Sequence, residues 1–378
     1  MQKKIVFVSE VQDPYSKGSS TQILTENLLQ GLKEGGYIVD FVAIYDDNYN
    51  NNINNMLRYY NKYVNNIILV NSRMNLCTIA YHKYRQLFRT IKGLLIYRQY
   101  IKVNIEIEND STILLSHTPS LEAAFICKAL LRKYKFKKYI QYWSDPYALS
   151  GIYLENLSIK RWPNIMIERA ILKMADKIVY SGKPLFLAQK ELYMRYSNKM
   201  YCVDFSYSTK KYEDANNNDR RLFGYVGNYF SSTRDIKPLF NAFSTIDYAS
   251  LLVCGKGDVE PDNSNKIIIE KRKPQNEIAE LEAKLDVFVC IINHSCYQIP
   301  GKIFYNTNSN KIILVILDGK YTDLFRKYLE QFNRFEFCDN NVESITKAVD
   351  RICRGECSVD LSGIDKLSPQ NIIESILE

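Results

Sequence analysis

Hydrophobic and polar positions follow two alternating periods along this chain. Short runs rich in β-branched and aromatic residues recur at Ile5–Val8, Ile38–Ile44, Ile67–Val70, Thr112–Ser116, Lys138–Tyr142 and Lys177–Tyr180. Between them, apolar residues take helical spacing. Thr21–Lys33 carries Ile23, Leu24, Leu28, Leu29 and Leu32 in that way, and Gly35-Gly36 closes the helix. Leu121–Lys133 and Arg161–Met174 read as helices too. This is the rhythm of a parallel sheet covered on both faces.

A polar stretch from Ser208 to Arg221 lacks large aliphatic residues and reads as a linker. A second series follows, with Leu222–Val226, Ala249–Cys254, Ile267–Ile269, Val287–Ile292 and Lys311–Ile316 as strands. Ile236–Phe243 and Glu277–Lys284 are its first helices, and Ser368-Pro369 starts the last one. The expected organisation is α/β, with two doubly wound, Rossmann-like domains at 1–207 and 222–378 joined by 208–221. The last helix is a candidate to pack back on the first domain. Ligands are expected at the carboxyl ends of the strands, in a cleft between domains. Asp46–Asn66 is rich in asparagine and tyrosine and reads as a loop with part of a helix.

The 378 residues suffice for two such domains, and 46% hydrophobic with 24% charged content fits a soluble globular chain. No apolar run reaches 18 residues, and the N-terminus reads as a buried strand rather than a signal peptide. The expected location is cytoplasmic, or peripheral on the inner face of the cell membrane. The nine cysteines are scattered among apolar segments, as in a reducing compartment, and no set has zinc-ligand spacing. The net charge of +8 fits general solubility, anionic ligands or an anionic membrane. Two basic segments, His82–Lys102 and Arg132–Lys138, read either as solvated helix faces or as docking sites for anionic lipid. No nucleic-acid recognition motif occurs.

Candidate chemistry sits at strand ends. Gln298-Ile299-Pro300-Gly301-Lys302-Ile303-Phe304-Tyr305 follows the strand at Val287–Ile292. A helix start there would offer unpaired N–H groups, and Lys302 a full charge, to a phosphate. Gly224-Tyr225-Val226-Gly227-Asn228 ends the first strand of the second series, and Arg234 precedes the next helix. Gly227 permits close approach, and Arg234 serves either as a phosphate ligand or as a surface charge. Cys254-Gly255-Lys256-Gly257 is a further glycine-bearing turn. In the first series, Gly18, Ser19 and Ser20 allow close backbone approach by a ligand, or form an ordinary turn with a serine cap. His117 and Trp143-Ser144-Asp145 end two other strands, and each fits a structural role as readily as a ligand site.

The Pro-Gly-Lys segment resembles the donor-site helix of family-4-like glycosyltransferases of the GT-B fold, written Pro-x-Lys-x-x-Glu-Tyr. Residues Ile5–Ile44 resemble the opening of the same family. The resemblance implies a transferase of bacterial polysaccharide or glycolipid assembly. It would move a sugar from a nucleotide-sugar donor to a saccharide or lipid-linked acceptor, with retention and without a bound metal or cofactor. It implies donor binding by Gly227, Asn228, Arg234, Gly255, Lys302 and Tyr305. Gly18, Ser19, Ser20 and Trp143 would meet acceptor or sugar, with His117 and Asp145 at the transferred sugar. Departures accompany it: Tyr305 and Tyr297 stand where the family has paired glutamates, and Asn228 where an arginine is common. A non-catalytic partner of another glycosyltransferase, and a GT-B epimerase or hydrolase, are the alternatives.

Overall fold

The computed structural model describes residues 3–13, 20–45, 52–71, 105, 111–118, 121–149, 158–208, 220–261 and 265–378. Gly18 and Ser19, most of the 208–221 linker and the basic segment 82–102 lie outside them. The chain divides into two compact units. One gathers Met1–Ala148, Leu157–Asp204 and Pro369–Glu378, and the other Leu149–Asn156 and Phe205–Ser368.

The first unit holds a seven-stranded parallel sheet: β1 (Lys4–Glu10), β2 (Ile38–Tyr45), β3 (Asn66–Asn71), β4 (Ile113–Thr118), β5 (Lys138–Trp143), β6 (Lys177–Ser181) and β7 (Met200–Val203). Their order in space is β3-β2-β1-β4-β5-β6-β7. The order reverses between β1 and β4, the switch point where open α/β sheets receive ligands. Helices α1 (Ser20–Glu34), α2 (Ile53–Tyr60), α3 (Leu121–Lys133), α4 (Ser158–Leu172) and α5 (Lys183–Leu192) belong to this unit.

Strand residues alternate between two cores. Val6, Val8, Leu114, Tyr139 and Trp143 pack with α3 residues on one face; Ile5, Phe7, Ile113, Leu115, Ile140 and Tyr142 pack with α1 residues on the other. The C-terminal helix, whose Ile372, Ile373 and Ile376 join that second core, crosses α1 at Gly31. A Cβ at Gly31 would collide with the Pro369 carbonyl, so the crossing requires glycine there.

The second unit holds a six-stranded parallel sheet: β8 (Arg221–Val226), β9 (Ala249–Cys254), β10 (Ile267–Glu270), β11 (Val287–Ile291), β12 (Ile312–Leu317) and β13 (Glu336–Asp339). Its order is β10-β9-β8-β11-β12-β13, with the switch point between β8 and β11. Its helices are α6 (Lys237–Thr245), α7 (Gln275–Ala283), α8 (Lys302–Tyr305), α9 (Thr322–Glu330) and α10 (Val342–Cys353); α11 (Pro369–Leu377) is the helix returned to the first unit.

Two differences from the sequence pattern stand out. The edge strands β7 and β13 were not expected: each is only four residues long and only partly buried, too short to show a strand period. The expected helix after Pro300 is one turn of four residues. Asn306, Thr307, Asn308 and Ser309 follow it, and short polar side chains compete with helical hydrogen bonds. Thr307 Oγ1 donates to the Phe304 carbonyl at 2.9 Å. The buried Arg334 then serves the turn: its guanidinium donates to the carbonyls of Thr307 at 2.8 Å and of Ser309 and Lys311 at 2.7 Å.

Among the described residues, no helix is long and apolar enough to cross a membrane. No group of three or more His, Cys, Asp or Glu side chains there could hold a metal ion.

Candidate functional site

Two clusters form, one at each switch point. In the first unit, three neighbouring strands end their inward columns in polar residues. Ile5-Phe7-Ser9 on β1, Ile113-Leu115-His117 on β4 and Ile140-Tyr142-Ser144 at β5 are each apolar twice and then polar, by the strand period of two. On α1, Thr25 lies in the apolar stripe of Leu28, Leu29 and Leu32. His117 Nδ1 is 3.1 Å from Thr25 Oγ1 and 3.3 Å from Ser9 Oγ; Nε2 is 2.9 Å from Ser144 Oγ. The Ser144 hydroxyl donates to Asp145 Oδ2 at 3.2 Å.

That last bond sets the direction of the others. Ser144 gives its proton to Asp145, so it accepts from His117 Nε2–H, and Nδ1 accepts from a hydroxyl. The chain Thr25–His117–Ser144–Asp145 is thus a directed wire ending on a carboxylate at the edge of the sheet. Burial lowers the His117 pKa to about 3, so the imidazole is neutral. Burial raises the Asp145 carboxyl to about 6, against the pull of its Ser144 hydrogen bond.

His117, expected at the transferred sugar, is 1% exposed with both ring nitrogens engaged, and Ser144 and Asp145 are its outward link. Trp143, expected to meet acceptor or sugar, is 1% exposed. It points to the opposite face of the sheet from Ser144, packs near Tyr180 and donates from Nε1 to Gln141 Oε1 at 3.2 Å. Ser20 is the exposed first residue of α1.

In the second unit, Lys302 leaves its short turn toward the end of β8. Its Nζ donates to the Val226 carbonyl at 2.6 Å and stands 4.5 Å from the Tyr225 ring centroid. Gly227, at φ 144°, makes room: a Cβ there would strike Lys302 Nζ. Gly255 packs against the Gly227 carbonyl, and Gly227 N donates to the Cys254 carbonyl at 2.8 Å. Arg234 reaches the same place, its Nε donating to Asn293 Oδ1 at 2.8 Å and Nη1 to the Asn228 carbonyl at 3.2 Å. Desolvation first, and the Arg234 charge second, lower the Lys302 pKa to about 7. Two cations thus face backbone carbonyls and an amide oxygen at a switch point, an arrangement suited to an anion.

The structure brings Gly227, Asn228, Arg234, Gly255 and Lys302 together. Tyr305 is placed otherwise: it is buried, with its phenol lying over Gly301, where a Cβ would come within 2.7 Å of Oη. Tyr297 stacks on Tyr321, with ring centroids 4.3 Å apart. Sequence reading missed Ser9, Thr25 and Asn293, and quoted Ser144 without giving it a role. The signal for Ser9, Thr25 and Ser144 was a polar residue closing an apolar column or interrupting an apolar stripe.

No protein-family model matches the chain, and no curated protein matches it. Solved structures do. Sucrose-phosphate synthase from Thermosynechococcus elongatus superimposes with a TM-score of 0.60 at 14% identity, over 100% of this chain and 94% of that one. HepE from Anabaena, in complex with UDP and glucose, gives 0.56 at 9% identity, over 99% and 94%. A UDP-N-acetylglucosamine 2-epimerase gives 0.55 at 10% identity, over 100% and 96%. The likeness establishes the fold: two parallel α/β sheets in a GT-B, glycosyltransferase-like architecture. That fold is shared by glycosyltransferases and an epimerase.

Proposed function

We propose that the protein is a glycosyltransferase that moves a sugar from a nucleotide-sugar donor to a surface-polysaccharide or lipid-linked saccharide acceptor, with retention of configuration. The observation that carries this reading is the Lys302–Arg234 pair at the β8–β11 switch point. Its present partners are backbone carbonyls of Val226 and Asn228 and the amide oxygen of Asn293. Two cations gathered on neutral acceptors are primed for a diphosphate, and they would stabilise the negative charge that develops as it departs. In this reading the second unit holds the nucleotide, with Gly227 and Gly255 allowing close backbone approach. The first unit serves sugar and acceptor, with Asp145 as the group that meets their hydroxyls and His117 as its positioning residue. Ser20 belongs to the acceptor side of the proposal, as do Gly18 and Ser19.

HepE, whose complex contains UDP and glucose, supports a uridine nucleotide as the first donor to test. The experiment is a thermal-shift screen of the full chain with UDP, GDP, ADP and their sugars, repeated with Arg234→Ala. Ligand at 100 times its dissociation constant adds about 2.7 kcal/mol of apparent stability. A shift with one nucleotide, lost in the variant, directs the acceptor assays; no shift with any of them removes the transferase reading.

The second reading, a non-catalytic partner of another glycosyltransferase, is favoured by Tyr297 and Tyr305. Both positions expected to carry carboxylates hold packed phenols instead.

A further inference from the structure

Helix α4 turns Asn164, Glu168, Ile171 and Leu172 inward and leaves Trp162, Met166 and Arg169 outside, and Lys173, in the turn that continues it, is exposed too. The spacing i, i+4, i+7, i+11 is a single helix face. Trp162 is 63% exposed. Helix α5 adds exposed Leu187 and Lys190, and the turn after it adds Arg195 and Met194, the latter 73% exposed. The two helices are consecutive crossovers, between β5 and β6 and between β6 and β7, and the segment that follows α5 is tied to α4. Tyr193 Oη donates to Glu168 Oε2 at 2.7 Å, and Lys199 Nζ donates to the carbonyls of Leu172 at 2.8 Å and Ala175 at 2.6 Å. Their outer faces therefore form one surface.

We infer that this α4–α5 face docks on an anionic membrane surface. Its composition selects that occupant. Large apolar side chains are interleaved with cations rather than gathered in a patch, and Glu191 is the acidic exception on α5. Protein–protein interfaces deplete lysine, and Lys173 and Lys190 sit amid this surface. An exposed indole flanked by basic side chains suits the lipid headgroup layer, where the ring is half-immersed and the cations meet phosphate.

The topology gives docking a consequence. Helix α4 lies between β5 and β6 in the chain, so its Trp162 end lies toward the carboxyl edge of the sheet, where Ser144 and Asp145 stand. Lipid seated on this face brings headgroups to that edge. The inference stands on the surface itself and holds whether or not the protein transfers sugar.

The chain carries its own probe. Its two tryptophans are Trp143, already 1% exposed, and Trp162, so a change in emission on binding reports residue 162. Full-length protein is titrated with vesicles of phosphatidylcholine alone and of phosphatidylcholine mixed with phosphatidylglycerol. The expected result is a blue shift and quenching by brominated lipid with the anionic vesicles, both weakened by salt. Trp162→Ala with Met166→Ser weakens co-sedimentation at least about tenfold. Arg169→Glu with Lys173→Glu, at exposed positions that folding does not need, does the same through charge. Co-sedimentation without any change in Trp162 emission overturns the inference, because the contact then lies elsewhere. Absence of co-sedimentation overturns it too. So does a lipid-independent blue shift that grows with protein concentration, which assigns the face to a second copy of the chain. None of these readouts depends on nucleotide binding, so failure here is distinct from failure of the transferase reading.

Discussion

The ammonium of Lys302 and the backbone carbonyl of Val226 lie 2.6 Å apart, with no carboxylate between them. A carbonyl carries only a partial charge, so it compensates a desolvated cation incompletely, and the second cation at Arg234 adds repulsion. The pair is poised rather than at rest. A diphosphate entering beside Gly227 would relieve both costs, which is a physical reason for an anion to bind here.

Replacing Lys302 by methionine separates binding from stability. The folded pKa of about 7 lies below the ordinary value of 10.5, so the unfolded chain binds more protons between those values. Stability of the native sequence therefore rises as pH climbs through that window. Lys302→Met lacks this slope. Near pH 7 it is expected to be at least as stable as the native sequence, by on the order of 1 kcal/mol, because an apolar side chain replaces a desolvated charge. It should nevertheless lose the nucleotide-dependent thermal shift. Denaturant titrations at several pH values, with and without nucleotide, check both parts. A variant that unfolds easily at every pH contradicts the argument.

If the proposed donor site binds a nucleoside diphosphate, the same group makes its affinity pH-dependent. A bound diphosphate favours charged Lys302 and raises its pKa. Below about pH 7 the proton is already present, whereas above it binding must draw one from solution. Affinity should fall by up to about tenfold per pH unit above 7, with uptake approaching about one proton per site. Calorimetry at pH 8 in two buffers of different ionisation heat measures that uptake directly. Equal apparent heats in the two buffers would mean that Lys302 does not titrate with binding.

The fold was legible because apolar runs and helical stripes encode it directly. Leu121–Lys133 and Ala249–Cys254 have the same limits in sequence and structure. Of the four-residue edge strands, β10 was legible from its isoleucine run, whereas β7 and β13 were not, since neither has a β-branched run to mark it. At the candidate site, the glycine-bearing end of β8 and Lys302 could be read, but the length of α8 could not. The carbonyls freed where it stops are satisfied by Arg334, which is 32 positions further along the chain than Lys302. Trp143 shows the limit of proximity in sequence: next to Ser144, it faces the other side of the sheet. Ser9 and Thr25 looked like ordinary members of buried elements until the β1–β4 register and the packing of α1 on the sheet set them beside His117.

His117 is expected to stay neutral wherever the protein is folded near physiological pH. Its pKa of about 3 lies below the ordinary 6.5, so the unfolded chain binds the extra proton between those values. Stability is lost as pH falls below 6.5, by up to about 1.4 kcal/mol per unit. Asp145 acts with the opposite sign: raised to about 6 from 3.8, it stabilises when protonated and loses that contribution as pH rises through 6. The two slopes offset each other between about pH 4 and 6. The histidine contribution is therefore read as the difference between the native sequence and His117→Leu. The variant should lose the acid-side slope while paying roughly 1–3 kcal/mol for hydroxyls left without their partner. An imidazole Cε1–H resonance of His117 that titrates between pH 5 and 8 would refute the assignment.

Arg334 should matter more than its distance from any ligand suggests. It is buried, and its guanidinium serves three carbonyls within 2.8 Å along the segment that follows Lys302. Those carbonyls have left the helical ladder because α8 stops after Tyr305. Arg334→Leu leaves them desolvated and unpaired, at about 1–3 kcal/mol for each that water cannot reach. Arg334→Lys keeps the charge, but a single ammonium cannot reproduce the planar fork, so it should restore only part of the loss. The order of unfolding midpoints in urea is expected to be native, then lysine, then leucine. Nucleotide affinity should follow the same order, because the segment held by Arg334 is the one that fixes the Lys302 turn. A leucine variant with a native midpoint and weakened nucleotide binding would instead place Arg334 at the ligand.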